Sequence, residues 1–82
     1  MNEFIFTATG RMVEIDYLAA IAEPPRIYIR ATNISIAEAA TVFSNSVETR
    51  VIRHGNDDYI GFSRLVFVSP EAGAIKISLA KE

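Results

Sequence analysis

Residues 34–45, Ile-Ser-Ile-Ala-Glu-Ala-Ala-Thr-Val-Phe-Ser-Asn, constrain the fold most, because everything on either side of them reads as β-strand. Ser35 followed by Glu38 has the spacing of a capping box. The serine oxygen accepts the Glu38 N–H, and the carboxylate can turn back to the Ser35 N–H. Ile36, Ala39, Ala40 and Phe43 then fall on one face of a short helix. Asn45 suits the left-handed residue that closes such a helix. A helix of about nine residues does not hold alone in water, so it needs a sheet to lie on. Phe43, the only large aromatic of the stripe, is expected to be its most deeply buried residue.

The flanking segments alternate with period two. Phe4, Phe6 and Ala8 alternate with Ile5 and Thr7, and Thr9-Gly10 forms a turn with positive φ at the glycine. Val13, Ile15 and Tyr17 read as the return strand. A helix over residues 11–22 competes, but β-branched and aromatic residues dominate the first half, and residues 19–25 stay open between strand, helix and loop. Glu23-Pro24-Pro25 stops whatever precedes it. Residues 26–31 place Ile27, Ile29 and Ala31 on one strand face and Arg26, Tyr28 and Arg30 on the other.

After the helix, Val47, Thr49 and Val51 alternate as far as Arg53-His54, and residues 55–58 turn by composition. Residues 59–69 form the longest predicted strand, with Gly61 and Ser63-Arg64 marking a bulge or a strand covered on both sides. Residues 70–73 turn again, and residues 74–80 return with Ile75, Ile77 and Leu79 inward. The predicted fold is α+β: one domain over residues 1–82, an antiparallel sheet of about six strands in the order β-β-β-α-β-β-β, and one helix on a face.

Few side chains carry chemistry. His54, the only histidine, lies beside Asn56, Asp57 and Asp58, yet one imidazole makes no zinc set and the calcium-loop spacing is absent. A polar hairpin tip accounts for the same residues. A serine nucleophile would need a positioned base and an elbow to hold it, and Ser35 is already used as a cap. No glycine-rich phosphate loop occurs. The reading is a non-enzyme with no catalytic residues, no metal and no cofactor. Without cysteine there is no disulfide or thiolate chemistry. The start Met1-Asn2-Glu3-Phe4 has no basic segment before an apolar run, which predicts no signal peptide and synthesis in the cytoplasm.

Arg26, Tyr28 and Arg30 are the candidate interaction surface. Arginine and tyrosine interleaved on a sheet serve both protein interfaces and single-strand nucleic-acid platforms. A net charge of −2 argues against nucleic acid.

Residues 6–10 (Phe-x-x-x-Gly), the helix Ser-x-x-Glu-Ala-Ala-x-Val-Phe-Ser-Asn over 35–45, Glu48-Thr49, Tyr59-x-Gly61-Phe62-x-x-Leu65 and Ile75-x-Ile77-x-Leu79 form a pattern covering nearly the whole chain. It resembles small uncharacterised proteins encoded in the structural and tail gene modules of tailed phages and prophages of Gram-positive bacteria. The resemblance implies a virion or assembly component working by protein–protein contact, made in the cytoplasm and carried in the virion. A small regulatory module binding a host protein or nucleic acid is the alternative.

Half of the residues are hydrophobic, more than a small domain readily buries. One helix covers only one face of a sheet, and residues 59–69 are apolar on both faces. A homo-oligomer is therefore expected, a dimer first, with the N-terminal hairpin folding over as the monomeric alternative.

Overall fold

The computed structural model describes residues 3–82. The reading of Met1 and Asn2 as part of a leaderless start lies outside them. The elements run β1 (Glu3–Phe6), β2 (Met12–Ala22), β3 (Pro25–Ala31), α1 (Ile36–Ser44), β4 (Val51–His54), β5 (Asp57–Ile60), β6 (Arg64–Glu71) and β7 (Ala74–Ala80). All seven strands form one sheet in the order β5-β4-β1-β2-β3-β7-β6, and every pairing is antiparallel. The fold is α+β with one helix between β3 and β4, and it holds one strand more than the sequence predicts.

The added strand comes from residues 59–69, which break at Gly61. Its φ of +82° takes the chain out of the extended region. Ile60 on one side of the break is exposed and Phe62 on the other is buried, although they share a strand parity. Residues 47–50 are a turn rather than the first half of a strand, so β4 begins only at Val51. Residues 19–22 belong to β2, which ends where Glu23-Pro24 forms the turn into β3.

The break at Gly61 shapes the whole sheet. β5 and β6 are its two edges, yet only residues 61–63 join them. Laid flat, seven strands separate their edges by about 29 Å, whereas a three-residue link spans roughly 14 Å at most. The sheet therefore curls until its edges approach. The Glu82 N–H donates to the Gly61 carbonyl at 3.1 Å, and the Gly61 N–H to the Arg50 carbonyl at 2.9 Å. These bonds tie the end of the chain beyond β7 to the β4–β5 hairpin.

Inside the curl Ile5, Val13, Ile15, Ile27, Ile29, Ile52, Ile77 and Leu79 are fully buried with Phe43 of α1. The helix lies against β6 and β7. Its buried residues are Ala39, Val42 and Phe43; Ile36, expected on the buried stripe, stays exposed. Ser35 Oγ accepts the Glu38 N–H at 3.1 Å as predicted. The Glu38 carboxylate does not return to the Ser35 N–H: Oε2 takes Arg11 Nη2 at 3.2 Å, and Oε1 stands 3.5 Å from the serine hydroxyl. Asn45 is extended, with φ −86°, rather than left-handed. Its Oδ1 accepts the Val47 N–H at 3.0 Å and so starts the next turn.

A register shift between Ile15 and Tyr17 changes the parity of β2. Val13 and Ile15 point inward, but Tyr17 does not continue their face and is exposed. Likewise Ile5 and Thr7 point into the curl, whereas Phe6 is exposed. The accessible surface is 4799 Å², close to the roughly 4900 Å² expected of a folded monomer of this mass. The curl thus covers the concave face of the sheet, and the hydrophobic residues left over lie on its outside.

Candidate interaction surface

The candidate residues project from β3 because its alternation sends Ile27, Ile29 and Ala31 into the core and Arg26, Tyr28 and Arg30 outward. Register then fixes their neighbours. Tyr28 pairs with Ala19 on β2 and Ser78 on β7, and Ser78 pairs with Phe67 on β6. To one side lies the row Ile21, Arg26, Ala80 and Arg64. To the other lies Tyr17, Arg30, Lys76 and Ser69.

These rows make one continuous outer wall across β2, β3, β7 and β6. Tyr17 is 53% exposed, Ile21 41% and Phe67 37%. The Tyr28 and Phe67 rings stand 6.5 Å apart, inclined at 46°. Ser78 is fully buried although its parity points outward. Its Oγ has no hydrogen-bond partner, and neither has the buried Nε of Arg26. A buried polar group left unpaired costs about 1–3 kcal/mol.

The two arginines of β3 differ in what they hold. Arg30 is a tether: Nη1 binds the Asp16 carboxylate, Nε the Glu71 carboxylate at 3.1 Å, and Nη2 the Ala72 carbonyl at 2.6 Å. These contacts clamp the β2 bulge and the β6–β7 turn onto β3. Arg26, Arg64 and Lys76 make no ion pair among the described residues. Cations outnumber carboxylates on this wall, and it offers aromatic and aliphatic surface between them.

The remaining candidates are local. His54 Nε2 lies 2.8 Å from Glu3 Oε2, at the β4–β5 hairpin whose tip is Gly55-Asn56. Among the described residues no group of histidine, aspartate and glutamate is placed to hold a metal ion. Glu48 carries a role that sequence reading missed. It accepts from Thr7 Oγ1 at 3.0 Å and from the Thr9 hydroxyl, pinning the β1–β2 turn to the segment before β4. Nothing local in the sequence links residue 48 to residues 7 and 9. Among the described residues no helix is long and apolar enough to cross a membrane.

No family model matches the chain, and the searches of curated proteins and of solved structures give no match either.

Proposed function

We propose that this chain is a non-enzymatic structural or assembly protein of phage or prophage origin that works by protein–protein contact. It binds itself or other structural proteins through the wall bearing Arg26, Tyr28 and Arg30. One observation carries the reading: Tyr17, Ile21 and Phe67 stand exposed on one outer wall, beside Arg26, Arg64 and Lys76, which make no ion pair among the described residues. Carboxylates beside the free cations and apolar side chains over the aromatics would cover what the isolated fold leaves exposed. The sequence resemblance supports the phage origin. Co-expression with the products of neighbouring genes tests the proposal. Tyr17→Asp and Phe67→Asp should abolish complex formation while the circular dichroism spectrum is kept. Complexes and self-association that ignore both substitutions would refute it.

The second reading is a small regulatory module that binds single-stranded nucleic acid. It draws on the same wall, where Tyr17, Tyr28 and Phe67 alternate with Arg26 and Lys76 as stacking rings do with backbone cations. Titration of a labelled oligonucleotide separates the two, since nucleic-acid affinity falls steeply with salt.

A further inference from the structure

β2 changes parity at Asp16, and beyond that point its sequence does not dictate which face turns inward. Before Asp16, Val13 and Ile15 are buried and Ile15 pairs with Ala31. After it Tyr17 pairs with Arg30, Leu18 with Ile29, Ala20 with Ile27 and Ile21 with Arg26. Tyr17, Ala19 and Ile21 therefore face outward, and Leu18, Ala20 and Ala22 inward. Both sets are apolar, and hydrophobic pattern sets a register only where the two faces differ.

The inward set is the smaller one. Ala20 is exposed although it lies opposite the fully buried Ile27, and Ala22 is exposed too, while Tyr17 and Ile21 stand 53% and 41% exposed on the outside. Without the bulge the pairing from Ile15 and Ala31 would run straight on. Asp16 would then lie opposite Arg30, Tyr17 opposite Ile29, Ala19 opposite Ile27 and Ala20 opposite Arg26. Tyr17, Ala19 and Ile21 would extend the inner face of Val13 and Ile15. This slip leaves the rest of the sheet as it is. Among the described residues β1 pairs with β2 only as far as Ile15, so the second half of β2 is held by β3 alone. Asp16 keeps Arg30 beside it in both registers. The turn takes in Ala22 beside Glu23 and Pro24, and hairpin loops of either length are common.

We propose that residues 16–22 of β2 exchange between two registers on β3. The bulged register puts Tyr17 and Ile21 on the outer wall. The straight register turns them inward and brings Leu18 and Ala20 to the outside in their place. On the reading of the wall as a contact surface, the exchange regulates it: a partner seated on Tyr17 and Ile21 binds only the bulged register and draws the population toward it. The exchange itself needs no partner, so its test stands apart from that reading.

The chain has no cysteine, so engineered pairs report the register directly. Ile21→Cys with Arg26→Cys sets outward side chains opposite each other in the bulged register, and Ala20→Cys with Arg26→Cys does so only in the straight one. In the bulged register residues 20 and 26 point to opposite faces of the sheet, and their sulfurs cannot meet. Under mild oxidation followed by mass spectrometry, the first pair should close quickly and the second more slowly but to completion. Deleting Asp16 removes the extra residue and leaves the 17–22 pairing seen here as the unbulged one, so in that background the second pair should stay reduced. Equal closure with and without Asp16 would mark fraying of the hairpin and overturn the exchange, as would a second pair that stays reduced in the complete chain. Saturation-transfer NMR of the unmodified protein gives an independent reading. It should find a minor state at the amides of residues 16–22 that disappears on deletion of Asp16, and a single state there would overturn the proposal. Circular dichroism checks the folding of each variant.

Discussion

Tyr28 and Phe67 meet across β7 with ring centroids 6.5 Å apart, and Ser78, which pairs with both residues in register, is shut off from water with its hydroxyl unpaired. Replacing an unpaired buried hydroxyl by a methyl group removes a desolvation penalty and little else. Ser78→Ala should therefore hold or raise stability, by up to about 1 kcal/mol, in urea denaturation. A clear loss would mean that the hydroxyl has a partner in the isolated chain.

Phe43 is the large residue that α1 sends into the core, and it is fully buried. Truncation leaves a cavity that the surrounding isoleucines fill only in part. Phe43→Ala should cost about 3–5 kcal/mol, a large share of the stability of a domain this small. A denaturant midpoint near that of the wild type would show that the helix does not seat on β6 and β7 as described.

The two halves of the expected capping box should separate on mutation. Ser35 Oγ holds the Glu38 N–H, so Ser35→Ala should cost roughly 0.5–2 kcal/mol. The Glu38 carboxylate meets Arg11 with both side chains about half exposed, and such a pair contributes about 0–1 kcal/mol. Glu38→Gln should thus be nearly silent in thermal melts, and comparable losses from both substitutions would restore the reciprocal box.

Tyr59 should ionise at a higher pH than a free tyrosine. Burial raises its pKa from the ordinary 10.0, and the neighbouring Asp57 charge adds to the shift. Above pH 10 the unfolded chain gives up this proton before the folded one does. The stability Tyr59 contributes is therefore intact below that pH and declines as pH rises toward the folded value. Ultraviolet titration of the phenolates, with Asp57→Asn moving Tyr59 back toward 10, checks both the direction and the cause.

What could be read from the sequence follows from where the information lies. Residues 26–31 and 74–80 alternate without interruption, and the structure keeps their inner faces of Ile27, Ile29, Ile77 and Leu79. Phe43 was legible for the same reason, since a short capped helix has only one apolar stripe. Two of the misreadings fall where a single residue changes parity: the bulge at Asp16 turns Tyr17 outward, and the positive φ of Gly61 splits one strand into two. Arg26, Tyr28 and Arg30 could be placed on one face, but not the tethering of Arg30 by Asp16 and Glu71. The burial of Ser78 could not be read either, because it needs Tyr28 and Phe67 on neighbouring strands. Those pairings follow from the strand order, which alternation within a segment does not encode.

Gly61 is the position on which the curl depends, and it yields the sharpest test of the fold. Its φ is +82°, a region that costs an L-residue roughly 1–2 kcal/mol. A Cβ there would meet only the Lys81 side chain at 3.7 Å, an ordinary contact, so the penalty of Gly61→Ala is one of backbone conformation. Part of it is offset by the smaller entropy of the unfolded chain, leaving a net loss of about 1 kcal/mol. Gly73 has a φ of +71° in the β6–β7 turn, with no atom near the added Cβ, so Gly73→Ala should lose a similar amount. The difference lies in what each glycine joins. Gly61 links the two sheet edges and bonds to Arg50 and Glu82, whereas Gly73 closes a local hairpin. Hydrogen exchange should therefore speed up at the amides of residues 61 and 82 in Gly61→Ala and stay unchanged there in Gly73→Ala. If Gly61→Ala instead stabilises the protein, residues 59–69 run as a continuous strand, the edges lie apart, and the sheet does not curl.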